Sequence, residues 1–171
     1  LEMADDVTEL KGYWPETFST MNVLGHNGEN KHVYQFNVMY DKLIQFDENF
    51  EPDPEIQLAQ EWERVDESTM RYTIREGHTF HDGESLTAED VAFTFNYIKE
   101  NSVPYYSLQN QYIDSAEAVD DTTVEITLAE TLGPFNTIVG SQIPILPKHK
   151  WEGRSNPSQA TLSDPVGPGP L

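Results

Sequence analysis

Four oxygen-bearing side chains at alternate positions form the first group in the sequence that could bind a metal ion. They are Asp47, Asn49, Glu51 and Asp53. This is the spacing of the early ligands in a calcium-binding loop, which also needs glycine at its sixth position and glutamate at its twelfth. The sequence has Pro52 and Leu58 at those two places. We therefore interpret the segment as a solvated loop and predict no metal site.

Two histidines, His78 and His81, are close enough in sequence to share a metal ion. Turn residues on both sides leave room for only a very short strand, in which a spacing of three does not place two side chains on one face. We predict a structural role, with the imidazole of His81 bonded within its own His-Asp-Gly turn. His26, His32 and His149 show no ligand spacing.

Catalytic patterns give no positive signal. Hydrolysis by paired carboxylates needs two of them at a defined separation, and no motif singles out a pair among the 30 Asp and Glu residues. The sequence has no Gly-x-Ser-x-Gly turn, no glycine-rich phosphate loop and no cysteine. We expect a protein that is not an enzyme and carries no cofactor.

The composition excludes two classes of partner. The chain of 171 residues has 10 Lys and Arg against 30 Asp and Glu, a formal net charge of -20. Nucleic acids and anionic membranes attract cationic surfaces, so neither is expected to bind. A hydrophobic content of 37% is sufficient for a packed core. Such acidity with so little lysine is typical of proteins that work in very high salt, and we predict a halophilic source, with a merely acidic extracellular bacterial protein as the alternative.

The sequence shows no segment that would insert into a membrane. No apolar run approaches the roughly 18 residues of a membrane span. The amino end lacks the basic and apolar stretches of an export signal, which we expect to have been removed. Leu1 and Glu2, ahead of Met3, are interpreted as a cloning remnant.

Hydrophobic periodicity predicts the elements that position these residues. We expect a helix over 33–43 and a short strand over 43–46. A strand ending at Trp62 and a clearly alternating strand over 70–75 follow. Trp62 and Trp151 have apolar neighbours and are predicted to lie in the core.

The strongest helix start lies at Thr87, where Asp90 can complete a capping box. A β-hairpin is expected over 116–128 and a short helix over 134–139. From 153 onward the chain has four prolines, three glycines and few large apolar side chains, which predicts a linker with little to bury.

Three linked blocks of sequence are more specific than these patterns. They are Leu-Ala-Gln-Glu-Trp-Glu over 58–63, Tyr-Thr-Ile-Arg-Glu-Gly over 72–77, and Phe-His-Asp-Gly-Glu-Ser-Leu-Thr-Ala-Glu-Asp-Val over 80–91. In this order they closely resemble the signature of the family 5 extracellular solute-binding proteins, the oligopeptide-, dipeptide- and nickel-binding receptors of ABC importers. With further landmarks at 40–43, 116–124 and 145–149, the resemblance covers roughly residues 17–171. It departs at Pro168 and Leu171, where the family usually has threonine and tyrosine.

The resemblance implies a mixed α/β fold. Family members are much longer, so the chain would be a fragment of a periplasmic-binding-protein type II-like fold, the first lobe with its extra subdomain and without the second lobe. Residues 1–45 would begin the first lobe, 46–165 would form the extra subdomain, and 166–171 would start the crossing toward the second lobe.

The resemblance also implies which residues bind and which are structural. The solute contacts are expected in the loop before the first helix, at Asn27, Gly28, Glu29 and Asn30, with Glu29 able to meet the amino terminus of a peptide. The signature residues are expected to be structural. They are Trp62, Gly77, Phe80, His81, Asp82, Gly83, Thr87, Asp90 and Val91.

The function that the resemblance implies is solute capture. The chain would belong to the substrate-binding component of an ABC importer, which takes up extracellular peptides or similar small solutes by hinge closure and delivers them to the permease. We expect a monomer outside the cell, periplasmic or anchored at the cell surface as a lipoprotein. Two rival readings are an extracellular hydrolase acting on peptides or glycosides, and a sensory or interaction module.

Overall fold

The computed structural model describes residues 21–25, 36–162 and 165–169. The described part contains a four-stranded antiparallel sheet with the spatial order β1-β2-β4-β3. The strands are β1 (Ala59–Arg64), β2 (Thr69–Ile74), β3 (Ile113–Ala118) and β4 (Thr123–Leu128). The predicted alternating strand and the predicted hairpin are confirmed, and the first strand continues two residues beyond Trp62.

The main helix, α1 (Ala88–Asn101), begins where the capping residues predict. The backbone N–H of Thr87 donates to the Asp90 carboxylate at 3.1 Å, which satisfies a donor at the helix start. The helix ends at Asn101, and the next residue, Ser102, adopts the left-handed conformation common after a last helical turn. Its buried stripe, including Val91 and Phe95, packs over β3 and β4.

The remaining helical segments are short. They are the 3₁₀ turns Pro104–Tyr106 and Pro157–Gln159, the π-helical turn Asn136–Gly140, α2 (Ser107–Asn110) and α3 (Lys148–Trp151). The helix expected over 134–139 is therefore a single wide turn.

The segment before β1 differs from its prediction. Of the expected helix over 33–43, the described part is helical only over 36–39, and no strand forms over 43–46. The carbonyl groups of Lys42 and Leu43 instead accept hydrogen bonds from the backbone at the start of β1, at 3.2 and 3.0 Å. These long-range bonds take the place of the local pairing that the hydrophobic pattern indicated.

One hydrophobic core lies between the inner face of the sheet, α1 and the segments 36–46 and 135–151. Trp151 is buried there, as predicted. The prediction for Trp62 is wrong, because 37% of this residue is exposed. It lies on β1, at the edge of the sheet away from β3 and β4, on which α1 packs, so α1 leaves it partly exposed.

The segment 165–169 also differs from the linker that its composition predicts. Val166, Gly167 and Pro168 are buried against the body of the protein. The segment is held by backbone and histidine hydrogen bonds rather than by large apolar side chains, which is why its composition did not reveal its packing.

Candidate functional site

The loop in which the resemblance places the solute contacts is described only at its flanks. Asn27, Gly28, Glu29 and Asn30 lie outside the described residues. On the near side, the amide of Asn22 donates to the carbonyl oxygens of two residues, 157 and 160, at 2.6 and 2.9 Å, and its own oxygen accepts from the backbone of Leu24 at 2.9 Å. Asn22 is almost fully buried. It therefore fixes the chain that enters the loop.

The far flank is fixed by aromatic packing. Phe36 and Tyr40 are both buried and meet edge to face with ring centres 6.2 Å apart. A small pocket lies between the two flanks, lined by Val23 and Phe36 and, on its other side, by Lys42 and Tyr106. Burial lowers the pKa of Lys42, whose ammonium donates to Asn37 at 2.8 Å.

The signature segment after β2 is built from two glycine turns. Gly77 and Gly83 have φ values of 75° and 88°, in the left-handed region where glycine carries no steric penalty. Nothing lies within 4 Å of a side-chain carbon placed at either position, so the backbone conformation, not space, requires glycine. Between the turns, Phe80 is buried and its N–H donates to the carbonyl of Glu84 at 2.8 Å.

The sequence predicts that the imidazole of His81 bonds within its own turn, and this prediction is wrong. Its Nε2 donates to the carbonyl oxygen of Gly169 at 3.0 Å, and its Nδ1 accepts from the N–H of Gly167 at 3.3 Å. The backbone N–H of His81 also donates to the Gly167 carbonyl at 3.0 Å. An imidazole that accepts at Nδ1 and donates at Nε2 is neutral, with its proton on Nε2.

His78 joins the same segment to the region before β1. Its Nε2 lies 2.9 Å from the Asp41 carboxylate and 3.0 Å from the carbonyl oxygen of Pro168. The hydrogen bond to Asp41, a buried carboxylate, raises the pKa of His78 above its ordinary value, partly opposed by burial. In the described part of the chain, no group of three His, Cys, Asp or Glu side chains could hold a metal ion.

Asp82 forms a third long-range contact of the signature. Its carboxylate accepts from His149 Nε2 at 2.8 Å and from the Lys150 ammonium at 2.9 Å. The bond from His149 is the main cause that lowers the pKa of Asp82 to about 2. His149 also packs edge to face on Phe80, with ring centres 5.7 Å apart. Sequence reasoning missed His149 because 67 residues separate it from its partner.

Asp90 has two tasks at the start of α1. Besides capping the helix, its carboxylate accepts from the backbone N–H of Lys148 at 2.9 Å. One turn later, Thr94 donates to the Asp90 carbonyl at 2.7 Å and accepts from the N–H of Leu146 at 2.9 Å. The helix start is thereby joined to the segment that leads into α3.

The polar side chains of the signature thus form hydrogen bonds with other segments of the same chain. His78, His81, Asp82 and Asp90 each bind a segment distant in sequence, at 41, 145–150 or 167–169. They connect distant parts of the described chain to one another, and Asn22 and Phe36, on either side of 26–35, are buried against the same body.

Comparison with known proteins gives matches over most of the chain. The model for the middle part of the bacterial extracellular solute-binding proteins of family 5 matches residues 53–170. Protein XP55 of Streptomyces lividans is 32% identical over 173 residues, which cover 99% of this chain and 30% of that protein.

Two solved structures share the fold. NikZ from Campylobacter jejuni, determined in complex with Ni(L-His), superposes with a TM-score of 0.76 at 25% identity, over 91% of this chain and 30% of NikZ. The oligopeptide-binding protein AppA from Bacillus subtilis, in complex with a nonapeptide, gives a TM-score of 0.71 at 25% identity, over 86% of this chain and 30% of AppA.

The fold is the mixed α/β arrangement found in the first part of periplasmic binding protein type II-like structures. The chain belongs to the family 5 bacterial extracellular solute-binding proteins. It spans about 30% of the length of Protein XP55 and of NikZ. In the described part, no helix is long and apolar enough to cross a membrane.

Proposed function

We propose that this chain is part of the substrate-binding component of an ABC importer, which captures an extracellular peptide or similar small solute and passes it to the permease. The observation that carries the proposal is the family match over residues 53–170, which includes most of the signature. The solved relatives NikZ and AppA support the solute class, since one holds Ni(L-His) and the other a nonapeptide. The protein acts by binding and not by catalysis.

Capture works by hinge closure. Residues 1–45 begin the first lobe, 46–165 form its extra subdomain, and 166–171 lead toward a second lobe that the full-length protein supplies. A solute that contacts both lobes only when they are closed shifts the population toward the closed state. The relatives are long enough for this arrangement, because the chain spans about 30% of NikZ and of AppA.

The solute contacts lie in the loop between the two fixed flanks. Asn27, Gly28 and Asn30 offer backbone groups that pair with an extended peptide as an added strand would. Glu29 offers a carboxylate for the peptide's amino terminus. The anchoring of Asn22 and Phe36 supports this assignment, because a loop held at both ends loses less conformational freedom on binding.

The setting of the protein follows from its family. We assign it to the cell exterior, periplasmic or anchored to the membrane surface as a lipoprotein, where it meets the permease as a monomer. The acidic surface, with a net charge of -20, is assigned to a very salty environment and not to the solute.

The test is to purify the full-length protein without denaturation and to identify retained small molecules by mass spectrometry. Each identified solute is then added back and the melting temperature is measured. A solute at about 100 times its Kd should stabilise the protein by about 2.7 kcal/mol. Glu29→Gln should weaken a solute with a free amino group and leave an amino-blocked analogue unaffected, with Glu48→Gln on the exposed loop as control.

Three results would contradict the proposal. Retention of no solute, together with no thermal shift from peptides or nickel complexes, would remove the evidence for capture. Turnover of a peptide or glycoside would favour a hydrolase. A stable complex with a signalling domain in place of a permease would favour a sensory module.

A further inference from the structure

Residues 167–169, called here the strap, are attached to the body of the protein by a dense set of hydrogen bonds. His81 contributes three of them, two from its ring and one from its backbone. The N–H of Gly169 donates to the carbonyl of Met39 at 3.0 Å. The carbonyl of Pro168 lies 3.0 Å from Nε2 of His78.

The strap lies in direct contact with the backbone of residues 38–39. A side-chain carbon added at Gly167 would overlap the carbonyl oxygen of Met39, and one added at Gly169 would lie 2.6 Å from the Met39 carbonyl carbon. The strap therefore fits this surface only as glycine backbone. The strap is therefore held by its backbone and histidine hydrogen bonds together with the burial of Pro168.

One attachment depends on a proton. Two acceptors, the Asp41 carboxylate and the Pro168 carbonyl, face the same nitrogen of His78. That nitrogen must carry hydrogen for either contact to be favourable. A protonated imidazole guarantees this and strengthens both bonds by its charge. A neutral imidazole can place its only proton on the other nitrogen, which leaves a lone pair facing two oxygens.

The charges around His78 favour the protonated form. Asp41, from the segment before β1, attracts the cation at 2.9 Å, and Arg75, which follows β2, opposes it. His81, on the same loop, turns its ring nitrogens toward Gly167 and Gly169. The neighbouring strap residues, with Val166 before them, carry no titratable side chain.

We propose that His78 is a positioning residue that makes the attachment of the strap pH-dependent, tightening it when protonated and loosening it when neutral. The consequence for solute capture rests on the proposed function. If the strap leads into the crossing between lobes, tighter attachment resists the backbone rotation that closure needs. Solute affinity then falls as the pH falls.

The direct test needs no solute. Hydrogen exchange of the amides of Gly167 and Gly169 is followed in the full-length protein by mass spectrometry with single-amide fragmentation. The ratio of protection in wild type to that in His78→Gln is taken at each pH, which cancels the intrinsic exchange rate. Glutamine keeps a neutral N–H donor near the place of Nε2. The ratio should fall by about threefold to tenfold between about pH 5.5 and pH 8.

Two further variants separate this role from a merely structural one. Asp41→Asn should move the transition to lower pH, because the carboxylate that favours the cation is gone. His81→Gln should lower protection of Gly167 and keep the pH transition, because it removes the Nδ1 acceptor for the strap and leaves the contacts of His78 intact. A ratio that does not change with pH, or a transition that survives in His78→Gln, would overturn the proposal.

A second arm tests the link to capture. Binding of trialanine is measured by calorimetry at both pH values in wild type and in His78→Gln, so that titration of the peptide itself cancels. The wild type should lose about threefold more affinity at low pH than the variant. Equal losses would overturn the link to closure. Absence of trialanine binding at either pH would count against peptide capture, and the exchange result would still decide the role of His78.

Discussion

The side-chain amide of Asn96 on α1 pairs with both backbone groups of Ala116 on β3. Its nitrogen donates to the Ala116 carbonyl at 2.7 Å, and its oxygen accepts from the Ala116 N–H at 2.9 Å. β3 is an edge strand, and the unpaired backbone groups of an edge strand are the usual template for unwanted strand pairing. Asn96 thus occupies the position that a neighbouring strand would take.

Replacing Asn96 by aspartate should remove one of the two hydrogen bonds that cover this strand edge. The carboxylate can still accept from the Ala116 N–H, but it would face the Ala116 carbonyl without a donor. We expect the free energy of unfolding to fall by about 1–3 kcal/mol. We also expect the variant to self-associate. Urea titration of the full-length protein measures the free energy of unfolding, and size-exclusion chromatography measures self-association. Glu100→Gln, on an exposed position of the same helix, should change neither.

The depressed pKa of Asp82 predicts a pH-dependent contribution to stability. A carboxyl whose pKa is about 2 in the folded protein and 3.8 in the unfolded chain stabilises the fold at pH values above 3.8. This stabilisation is lost as the pH falls toward 2. Asp82→Asn should therefore cost about 0.2–1 kcal/mol near pH 5, and most of the difference from wild type should be gone by about pH 2, where the folded carboxyl is half protonated. Urea unfolding at both pH values measures it, with exposed Asp114→Asn as control. A difference that persists at low pH would contradict the ion-pair explanation.

Thr94 connects α1 to the segment before α3 through a single hydroxyl. Thr94→Val keeps the shape but leaves the N–H of Leu146 without its acceptor inside the core. We expect a loss of about 1–3 kcal/mol in the free energy of unfolding. Thr73→Val, on the partly exposed face of β2, should stay within about 0.5 kcal/mol. Equal effects of the two substitutions would show that the hydroxyl is not needed.

Local signals predicted the parts of the fold that depend on neighbours in sequence. The start of α1 was predictable because Thr87 and Asp90 form its cap within one turn. Buried and partly exposed side chains alternate along β2, which is the pattern that predicts a strand. Gly77 and Gly83, in the turns after β2, have typical turn residues beside them. The partners of His81 could not be predicted, because they lie 86 and 88 residues away. The exposure of Trp62 depends on which strands α1 covers, and hydrophobic pattern carries no such information.

Substitutions at three glycines distinguish two reasons for needing glycine, a backbone conformation that disfavours side chains and a lack of space for a side chain. Gly77→Ala should cost about 1–2 kcal/mol of unfolding free energy, because its φ of 75° disfavours any side chain. Gly133→Ala, with open space and an ordinary φ, should stay within about 0.5 kcal/mol. Gly167→Ala would overlap Met39, so we expect hydrogen-exchange protection of the Gly169 amide to be lost while the core remains protected. Retained protection in Gly167→Ala would contradict the close contact of the strap.

The net charge of -20 predicts that salt stabilises the protein. Repulsion among exposed carboxylates opposes folding, and molar salt shortens the screening length from about 10 Å to about 3 Å. The midpoint of thermal unfolding should therefore rise between about 0.1 M and 1 M KCl. Sodium chloride should act equally, because screening depends on ionic strength and not on the cation. A variant with Glu48, Glu61 and Glu117 changed to glutamine, all on exposed positions, should gain less from salt. No gain in the wild type, or a loss, would count against a halophilic source.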